Sequence, residues 1–587
     1  MKRFFKKIFI IALGTILGGV ITVGIALGVV LLIEQQRSNI SSKLTPKTIL
    51  RISLHGQLVE EMPVPFLDIL GKSRAHEIDL LAVKKAIQMA QADDRIAGIY
   101  LELGQILSGW ANLAELRNSL EAFKKSGKFI VAYGETYTSK TYYLASLADD
   151  IVLHPAGSFV FMGLNMSVLF YKGLFDKLEI TPQIFRVGRY KSAVEPFMKY
   201  GMSEASKEQN QVLLNSIYDH LIETLAVARN IPPYALKQMA NDLSVTGPQE
   251  ATKAQLVTCL GYLNDVEALL KNKLNLEPNA KIAYIDFDVY QNKHARSNPT
   301  KEKIAVLVAT GTIVDEEIGP NHITAKSFIK NLKELRENPH VKAIVIRINS
   351  PGGSALASDT MWKEIMITRA HKPVVASMSD VAASGGYYLA AACNYILAHP
   401  GTITGSIGIF GLYFDVHALL KNKLGIHGDV VKTAPSADMF SPTRSLTPDE
   451  KRIIQRHIEQ GYENFLDRVA TGRQMQKTEI ARIAEGRVWS GSLAKEHKLV
   501  DELGGLEDAI KKAALLANLD ESYQVDYWPK HRTNWLRDLI IRWFDKENYQ
   551  VLESYAVQPY YVMLKSIQDL ANRQGVQAWL PYTIQIE

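Results

Sequence analysis

A long internal repeat runs through the chain. The segment YYLASLADDIVLHP (142–155) matches YYLAAACNYILAHP (387–400), at an offset of 245 residues. The same offset aligns IAGIYLEL (96–103) with VKAIVIRI (341–348). Self-similarity over such a distance indicates a duplicated structural unit, so the body of the chain must consist of two similar halves.

We place the N-terminal half at 47–297 and the C-terminal half at 298–525. Each alternates short apolar runs, such as KIAVLVATGTIV, with helical patterns, such as TAKSFIKNLKELRENP. Apolar runs of this length separated by helices predict an α/β fold with mostly parallel sheets. A hydrophobic content of 47% suits such a folded body. Ligands of these sheets bind at the carboxyl ends of the strands.

The N-terminus predicts a membrane anchor. Residues 1–7 carry four positive charges, and residues 8–33 are 26 residues without a charge. That run is long enough to span a bilayer, too long for the core of a cleaved signal peptide, and not followed by an Ala-x-Ala site. We therefore expect a cytoplasmic basic segment, a transmembrane signal anchor and a linker at 34–46. The basic flank then places the rest across the membrane, in the periplasm of a Gram-negative cell.

Charge and cysteine content exclude several classes of protein. The net charge of +6 is small for 587 residues, so nucleic acid is not implied as a partner. The two cysteines, Cys259 and Cys393, are too distant to build a disulfide framework or a zinc cluster, and we interpret both as buried thiols.

Residues 526–587 are predicted to be an amphipathic helical extension, because 534–548 has apolar residues at helical spacing. This extension could lie on the membrane surface or pack against a neighbouring subunit, and the sequence does not choose between the two.

Two glycine-rich loops in the second half could bind a ligand. They are NSPGGSA (349–355) and SDVAASGGYYLAAA (379–392), each at the end of a predicted strand. Glycines there let backbone N–H groups approach a ligand, and two such groups beside Ser384 would make an oxyanion hole. Tight turns are the alternative. The first half keeps a serine, Ser139, at the matching position but lacks the glycines, so we expect a single site that uses Ser384.

The base that would activate Ser384 is less obvious. His399 has a counterpart, His154, in the half without the glycines, which favours a structural role. A buried lysine whose pKa is lowered can serve instead, although spacing alone does not choose one. Lys191 of the first half aligns with Ala437 of the second, so its use would join the two halves. Ser406, in TITGSIGIFG, is a rival nucleophile or a hydrogen-bond partner of the lysine.

At these residues the chain resembles the signal peptide peptidase A family (protease IV), in its long form with two fused domains behind a membrane anchor. The motifs SPGG, AASGGYY, TGSIG, YKSAVEPF and RVWSGSLAKEHKLVDELGG carry the resemblance, which extends to about residue 525. It implies tandem domains of the Clp protease and crotonase superfamily. It also implies that Ser384 is the nucleophile, Lys191 the general base and proton donor, and Ser406 a hydrogen-bond partner of the lysine. Gly353 and Gly385 would form the oxyanion hole.

The resemblance further implies a function and an assembly. We expect a membrane-anchored serine endopeptidase of the inner membrane that degrades signal peptides and other extended apolar peptides through an acyl-enzyme. A homotetramer is implied, with no metal and no cofactor. The alternatives are a crotonase-type acyl-CoA enzyme, which uses paired N–H groups without a nucleophilic serine, and a catalytically inert membrane scaffold.

Overall fold

The structure is a computed structural model that describes 44–60, 77–294, 302–316, 322–520, 522–529 and 575–579. The predicted basic segment 1–7, the anchor 8–33 and most of the linker 34–46 lie outside these residues. Within the described ranges, none of the helices combines the length and the apolar character needed to cross a bilayer.

The first half forms a parallel sheet. The strands of the first half are β1 (Thr48–Val59), β2 (Glu77–Asp79), β3 (Ile96–Leu107), β4 (Phe129–Tyr137), β5 (Asp150–Phe159), β6 (Thr181–Arg186), β7 (Cys259–Leu260) and β8 (Tyr284–Asp286). All of them belong to this sheet except β6, which belongs to a different sheet. Among the described strands the order is β2-β1-β3-β4-β5-β7, with β8 also paired to β1, and every pairing is parallel.

Helices cover this sheet and lead into the second half. They are α1 (Leu80–Gln91), α2 (Trp110–Lys125), α3 (Ser139–Ala145), α4 (Lys172–Leu178), α5 (Glu195–Met198), α6 (Glu204–Arg229), α7 (Pro233–Asp242), α8 (Pro248–Lys253), α9 (Leu263–Leu274) and α10 (Phe287–His294). A single 3₁₀ turn at Ser192–Val194 precedes α5.

The second half repeats the design. The strands of the second half are β9 (Lys303–Thr310), β10 (Thr312–Val314), β11 (His322–Thr324), β12 (Val341–Ser350), β13 (Gly352–Ser354), β14 (Val374–Ala383), β15 (Tyr395–Ala398), β16 (Ile403–Gly405), β17 (Phe410–Asp415), β18 (Val488–Ser490), β19 (Glu502–Leu503), β20 (Gln524–Trp528) and β21 (Gly575–Trp579). Five of them, β10, β11, β13, β17 and β21, belong to a different, smaller sheet. The described main sheet has the order β18-β16-β14-β12-β9-β20, with β15 joining β14 to β19, and only its β16–β18 pairing is antiparallel. The prediction of mostly parallel, duplicated sheets is confirmed.

The helices of the second half are α11 (Ala325–Glu337), α12 (Ala355–Arg369), α13 (Gly385–Ala390), α14 (Pro448–Arg473), α15 (Lys477–Ile483), α16 (Gly491–Glu496) and α17 (Leu506–Leu516), with a short π-helix at Leu419–Lys423.

Strand β12 shows why the apolar runs become central strands. Ile344 and Ile346 pack into the core beneath α11 and α12, whereas Val345 packs on the opposite face against residues of α17. Both faces of the strand are buried, so its central run Ala343–Ile346 is apolar at every position.

A third, smaller sheet draws on both halves, which the sequence did not predict. Its order is β11-β10-β13-β21-β17-β6. Strand β6 of the first half pairs antiparallel with β17 of the second, from Arg186 opposite Phe410 to Thr181 opposite Asp415. This pairing holds the segment that follows β6, which contains Lys191, against the second half.

A buried ionic cluster also joins the halves. Arg347 on β12 has no solvent exposure and donates from Nε to Glu60 (2.9 Å) and from Nη1 to Glu115 (2.6 Å), both residues of the first half. Lys84 of the first half pairs with Glu115 and, across the junction, with Glu507 at 2.8 Å. Removing one member of such a cluster leaves an uncompensated buried charge, which typically costs about 3–5 kcal/mol.

The expectation of two buried cysteines needs correction. Cys393 is buried as predicted, but Cys259 is exposed, because its two-residue strand lies at the edge of the first sheet. The extension 526–587 was expected to be helical, yet its described residues are extended. Strand β20 (Gln524–Trp528) adds to the second-half sheet beside β9, and Gly575–Trp579 forms a strand of the third sheet. The predicted helical pattern 534–548 lies outside the described residues.

Candidate active site

Ser384 lies at the junction between strand β14 and helix α13. Its backbone has a φ of +55°, a conformation that residues other than glycine seldom adopt. Its N–H donates to the carbonyl of Gly405 at 2.8 Å, and its side chain has no solvent exposure. Unusual backbone angles of this kind are held in place by surrounding structure and are frequent at functional sites.

Lys191 meets Ser384 across the junction of the two halves. Its Nζ donates to Ser384 Oγ at 2.9 Å, although 193 residues separate them in sequence. The same Nζ donates to the carbonyl and the hydroxyl of Ser406, both at 3.0 Å. The structure therefore brings together the three side chains predicted to form the site.

Burial sets the protonation of Lys191. The side chain is only 1% exposed, and loss of hydration lowers its pKa from 10.5 to about 7. Desolvation disfavours the ammonium because its charge loses the solvation that water gives. A large fraction of this lysine is consequently neutral near pH 7 and able to accept a proton.

Ser406 lies directly after strand β16, with a φ of +52°. Its N–H donates to the carbonyl of Arg487 at 2.7 Å, which fixes the turn. Its hydroxyl and carbonyl both face the Lys191 amine. This contact fits an orienting role for Ser406 better than the rival role of nucleophile.

Glycines create the space that Lys191 occupies, and the sequence reasoning missed them. A Cβ on Gly486 would lie 2.6 Å from Lys191 Cβ, and Gly486 also has a φ of +77°. A Cβ on Gly408 would lie 3.2 Å from Lys191 Cδ. The Gly486 segment holds the lysine loop directly, since Tyr190 N–H donates to the Glu485 carbonyl at 2.9 Å.

Gln209 is a second residue that the sequence did not reveal. It lies on α6 and is 1% exposed. Its amide nitrogen donates to Ser192 Oγ (2.7 Å) and to the Tyr190 carbonyl (3.1 Å), the residues on either side of Lys191. Its oxygen accepts from the N–H of Val488 in the second half at 3.2 Å. Gln209 is thus a buried side chain with partners in both halves, and it positions the loop that contains Lys191. Neither its residue type nor its spacing in the sequence indicates this role.

The glycine loop at the end of β12 lies next to the start of α13. A Cβ on Gly353 would lie 1.8 Å from the Ile313 carbonyl oxygen, so only glycine fits there. A Cβ on Gly386 would lie 2.6 Å from the carbonyl oxygen of Ser350, because the beginning of α13 packs closely on the end of β12. The segments that contain Gly353 and Gly385 are therefore neighbours, as an oxyanion hole requires.

The two histidines behave alike in the two halves. His154 Nδ1 accepts from the N–H of Ala156 at 3.1 Å, and His399 Nδ1 accepts from the N–H of Gly401 at 3.2 Å. Burial lowers the pKa of His399 to about 3. Both rings stabilise equivalent turns, which fits the structural role predicted for them.

The first-half counterpart of the site is an ordinary helix start. Helix α3 begins at Ser139 and is capped by the side chain of Thr138, whose backbone is extended with a φ of −92°. In the second half the helix begins one residue later, so that Ser384, the counterpart of Ser139, is itself the N-cap of α13; its side chain makes no capping bond and instead contacts Lys191. Within the described residues, no group of three or more histidine, cysteine, aspartate or glutamate side chains could hold a metal ion.

The sequence is similar to known proteins. Residues 122–277 and 367–520 match peptidase family S49, one match in each half, and residues 301–400 match the Clp protease family. The chain is 36% identical to Protease 4 of Salmonella typhi over 514 residues, 84% of this chain and 82% of that protein. It is 34% identical to Protease 4 of Haemophilus influenzae, with 88% and 84% covered. The chloroplastic serine protease SPPA of Arabidopsis thaliana is 34% identical, with 80% and 69% covered.

Proposed function

Because the chain belongs to peptidase family S49 and is a serine endopeptidase, we propose that it degrades signal peptides and other extended apolar peptides with a Ser384–Lys191 pair. The observation that carries the proposal is the 2.9 Å contact between Lys191 Nζ and Ser384 Oγ in a fully buried setting. The membership in S49 favours this activity over an acyl-CoA enzyme and over an inert scaffold.

The mechanism follows from the protonation of Lys191. The neutral amine accepts the proton of Ser384 Oγ as the oxygen attacks a peptide carbonyl. The N–H groups of Gly353 and Gly385 stabilise the oxyanion of the tetrahedral intermediate. The protonated Lys191 then gives its proton to the leaving amine, which departs and leaves an acyl-enzyme on Ser384. Water, deprotonated by the same lysine, hydrolyses this ester and restores the site.

The proposal extends to substrate, location and assembly. The motifs that resemble signal peptide peptidase A support signal peptides as substrates. The 26 uncharged residues 8–33 behind a basic flank support a single-pass anchor in the inner membrane, with both halves in the periplasm. The same resemblance supports a homotetramer. Neither a cofactor nor a metal ion takes part in the proposed reaction.

Substitution of the two central residues tests the proposal. With the full-length chain in detergent and a synthetic signal peptide as substrate, Ser384→Ala and Lys191→Ala should each reduce turnover by about 10⁴-fold or more, because nucleophile and base act as a unit. Product formation is followed by mass spectrometry. Ser139→Ala, the matched change at the equivalent helix start of the first half, should leave turnover at the wild-type level. Turnover retained by Ser384→Ala or by Lys191→Ala would show that the assignment is wrong.

A further inference from the structure

Arg487 lies between the two halves, in the turn between Gly486 and strand β18. Its guanidinium carbon is 4.6 Å from the centroid of the Tyr190 ring in the first half. The same carbon is 4.5 Å from the centroid of the Trp489 ring in the second half. The guanidinium is therefore held between two aromatic rings, one from each half.

The ring on the first-half side belongs to the residue that precedes Lys191. Tyr190 donates from its N–H to the Glu485 carbonyl at 2.9 Å and from its hydroxyl to Glu208 Oε2 at 3.3 Å. The same carboxylate pairs with Arg487, whose Nη2 is 3.2 Å from Glu208 Oε1. Arg487 thus contacts the Tyr190 ring directly and shares Glu208 with its hydroxyl. Any shift of the Tyr190 backbone would carry Lys191 with it, because consecutive Cα atoms are held about 3.8 Å apart.

The ring on the second-half side lies against the turn that presents Ser406. Trp489 Nε1 donates to the Ile483 carbonyl at 3.0 Å, which fixes the ring. A Cβ on Gly405 would lie 2.8 Å from Trp489 Cδ1, so the ring packs closely on the residue before Ser406. The Arg487 carbonyl also accepts from the Ser406 N–H at 2.7 Å. Arg487 therefore contacts the lysine loop with its side chain and the Ser406 turn with its backbone.

We infer that Arg487 is a positioning residue of the peptidase site, whose guanidinium, stacked between Tyr190 and Trp489, holds the lysine loop against the Ser406 turn. The inference rests on the roles proposed above for Lys191 and Ser406. Arg487 Nε is buried and has no hydrogen-bond partner among the described residues, so the rings rather than this N–H hold the side chain. A planar guanidinium suits such a position, because it stacks on aromatic faces and is attracted to them.

Loss of the stack should change the protonation of Lys191. Burial is what lowers the pKa of this lysine, so a loop movement that admits water raises the pKa toward 10.5. The charged and titratable groups around the loop are Arg186, Arg189, Tyr190, Glu195, Glu208, Glu485 and Arg487. A variant that removes a ring without removing a charge therefore separates displacement of the loop from a change in the surrounding charge.

Two substitutions in the full-length chain test the inference. Arg487→Met removes the guanidinium, and Tyr190→Leu removes the first-half ring without a change of charge. In each we expect the midpoint of the pH profile of kcat/KM for a synthetic signal peptide to rise by about one unit, which reduces the neutral fraction of Lys191 at pH 7 about fivefold. A wild-type midpoint in both variants would overturn the inference.

Two further variants serve as controls. Tyr190→Phe keeps the ring and should keep the wild-type midpoint. Arg51→Met removes a matched arginine, which lies 5.9 Å from the centroid of the Tyr284 ring and pairs with Asp286 at the first-half sheet, and it should also keep the wild-type midpoint. The same shift in Arg51→Met as in Arg487→Met would contradict a specific role for Arg487.

Hydrogen exchange gives a readout that does not depend on peptidase activity. Arg487→Met and Tyr190→Leu should speed amide exchange in peptides covering 188–192 and 404–407, where the N–H groups of Tyr190 and Ser406 are bonded to the Arg487 turn. Arg51→Met should leave both segments at wild-type protection. Equal protection in all chains would overturn the inference. Faster exchange together with a lack of hydrolysis in every chain, the wild type included, would refute the proposed function alone.

Discussion

Two buried lysines in this protein have opposite pKa shifts, and the difference explains the site. At Lys84, burial opposes the charge, but the carboxylates of Glu115 and Glu507 outweigh it and raise the pKa. At Lys191 the hydrogen-bond acceptors are two hydroxyls and a carbonyl, none of them charged, and burial lowers the pKa to about 7. A buried lysine becomes a base only where no carboxylate compensates its charge.

The pKa of Lys191 predicts a specific pH dependence. Its folded-state pKa is depressed, so the amine is neutral above about pH 7 and charged below it. We expect kcat/KM for a signal peptide to be constant above this value and to fall tenfold per pH unit well below it, since only the neutral lysine accepts the Ser384 proton. Steady-state rates measured over a pH series provide the check. A rate that is flat through pH 7, or one that rises through pH 10, would contradict a lysine base of this pKa.

At the scale of elements, three turns hold the site, and each depends on a close backbone approach. The β14–α13 turn presents Ser384, the turn after β16 presents Ser406, and the turn before β18 contains Gly486. Gly486 matters because any side chain there would collide with the backbone and Cβ of Lys191. The position of the lysine is therefore fixed by a glycine of the opposite half.

Gly486→Ala should separate activity from folding. The added Cβ would lie 2.6 Å from Lys191 Cβ, so the lysine must shift, and a displacement of about 1 Å costs roughly 100-fold in rate. The measurement is kcat/KM together with thermal unfolding. Gly127→Ala is the matched control, because Gly127 has a similar φ of +83° but nothing within 4 Å of its Cβ position. It should lose about 1–3 kcal/mol of stability and keep full activity. Equal activities of the two variants would refute the proposed role of Gly486.

The sequence revealed part of the fold and of this site for identifiable reasons. Long apolar runs predicted the parallel sheets because central strands are buried on both faces. The loss of glycines in one copy marked Ser384 and Gly353, and the alignment of Lys191 with Ala437 suggested a site that joins the halves. The sheet that combines β6, β17 and β21 was not predictable, because its short strands come from distant segments without periodic patterns. Gly486 and Gln209 were missed because their roles depend on contacts rather than on residue type.

At the scale of the whole molecule, the proposed catalytic tasks are divided between two similar halves. The second half supplies Ser384 and the first supplies Lys191, and strand pairing between β6 and β17 fixes their distance. The buried cluster around Arg347 ties strand β12, which ends at the glycine loop, to Glu60 and Glu115 of the first half. The structure thus links the catalytic geometry directly to the packing of the two halves.

The dependence of Ser384 reactivity on Lys191 tests this account most directly. The full-length wild-type chain and Lys191→Met are treated with a serine-reactive phosphonate, and the adduct is located by peptide mass mapping. We predict a single adduct on Ser384 in the wild-type chain, and labelling at least about 100-fold slower in Lys191→Met, because the base that activates the hydroxyl is absent. An adduct on Ser406 or another serine, or equal labelling rates in the two chains, would contradict a site built from both halves.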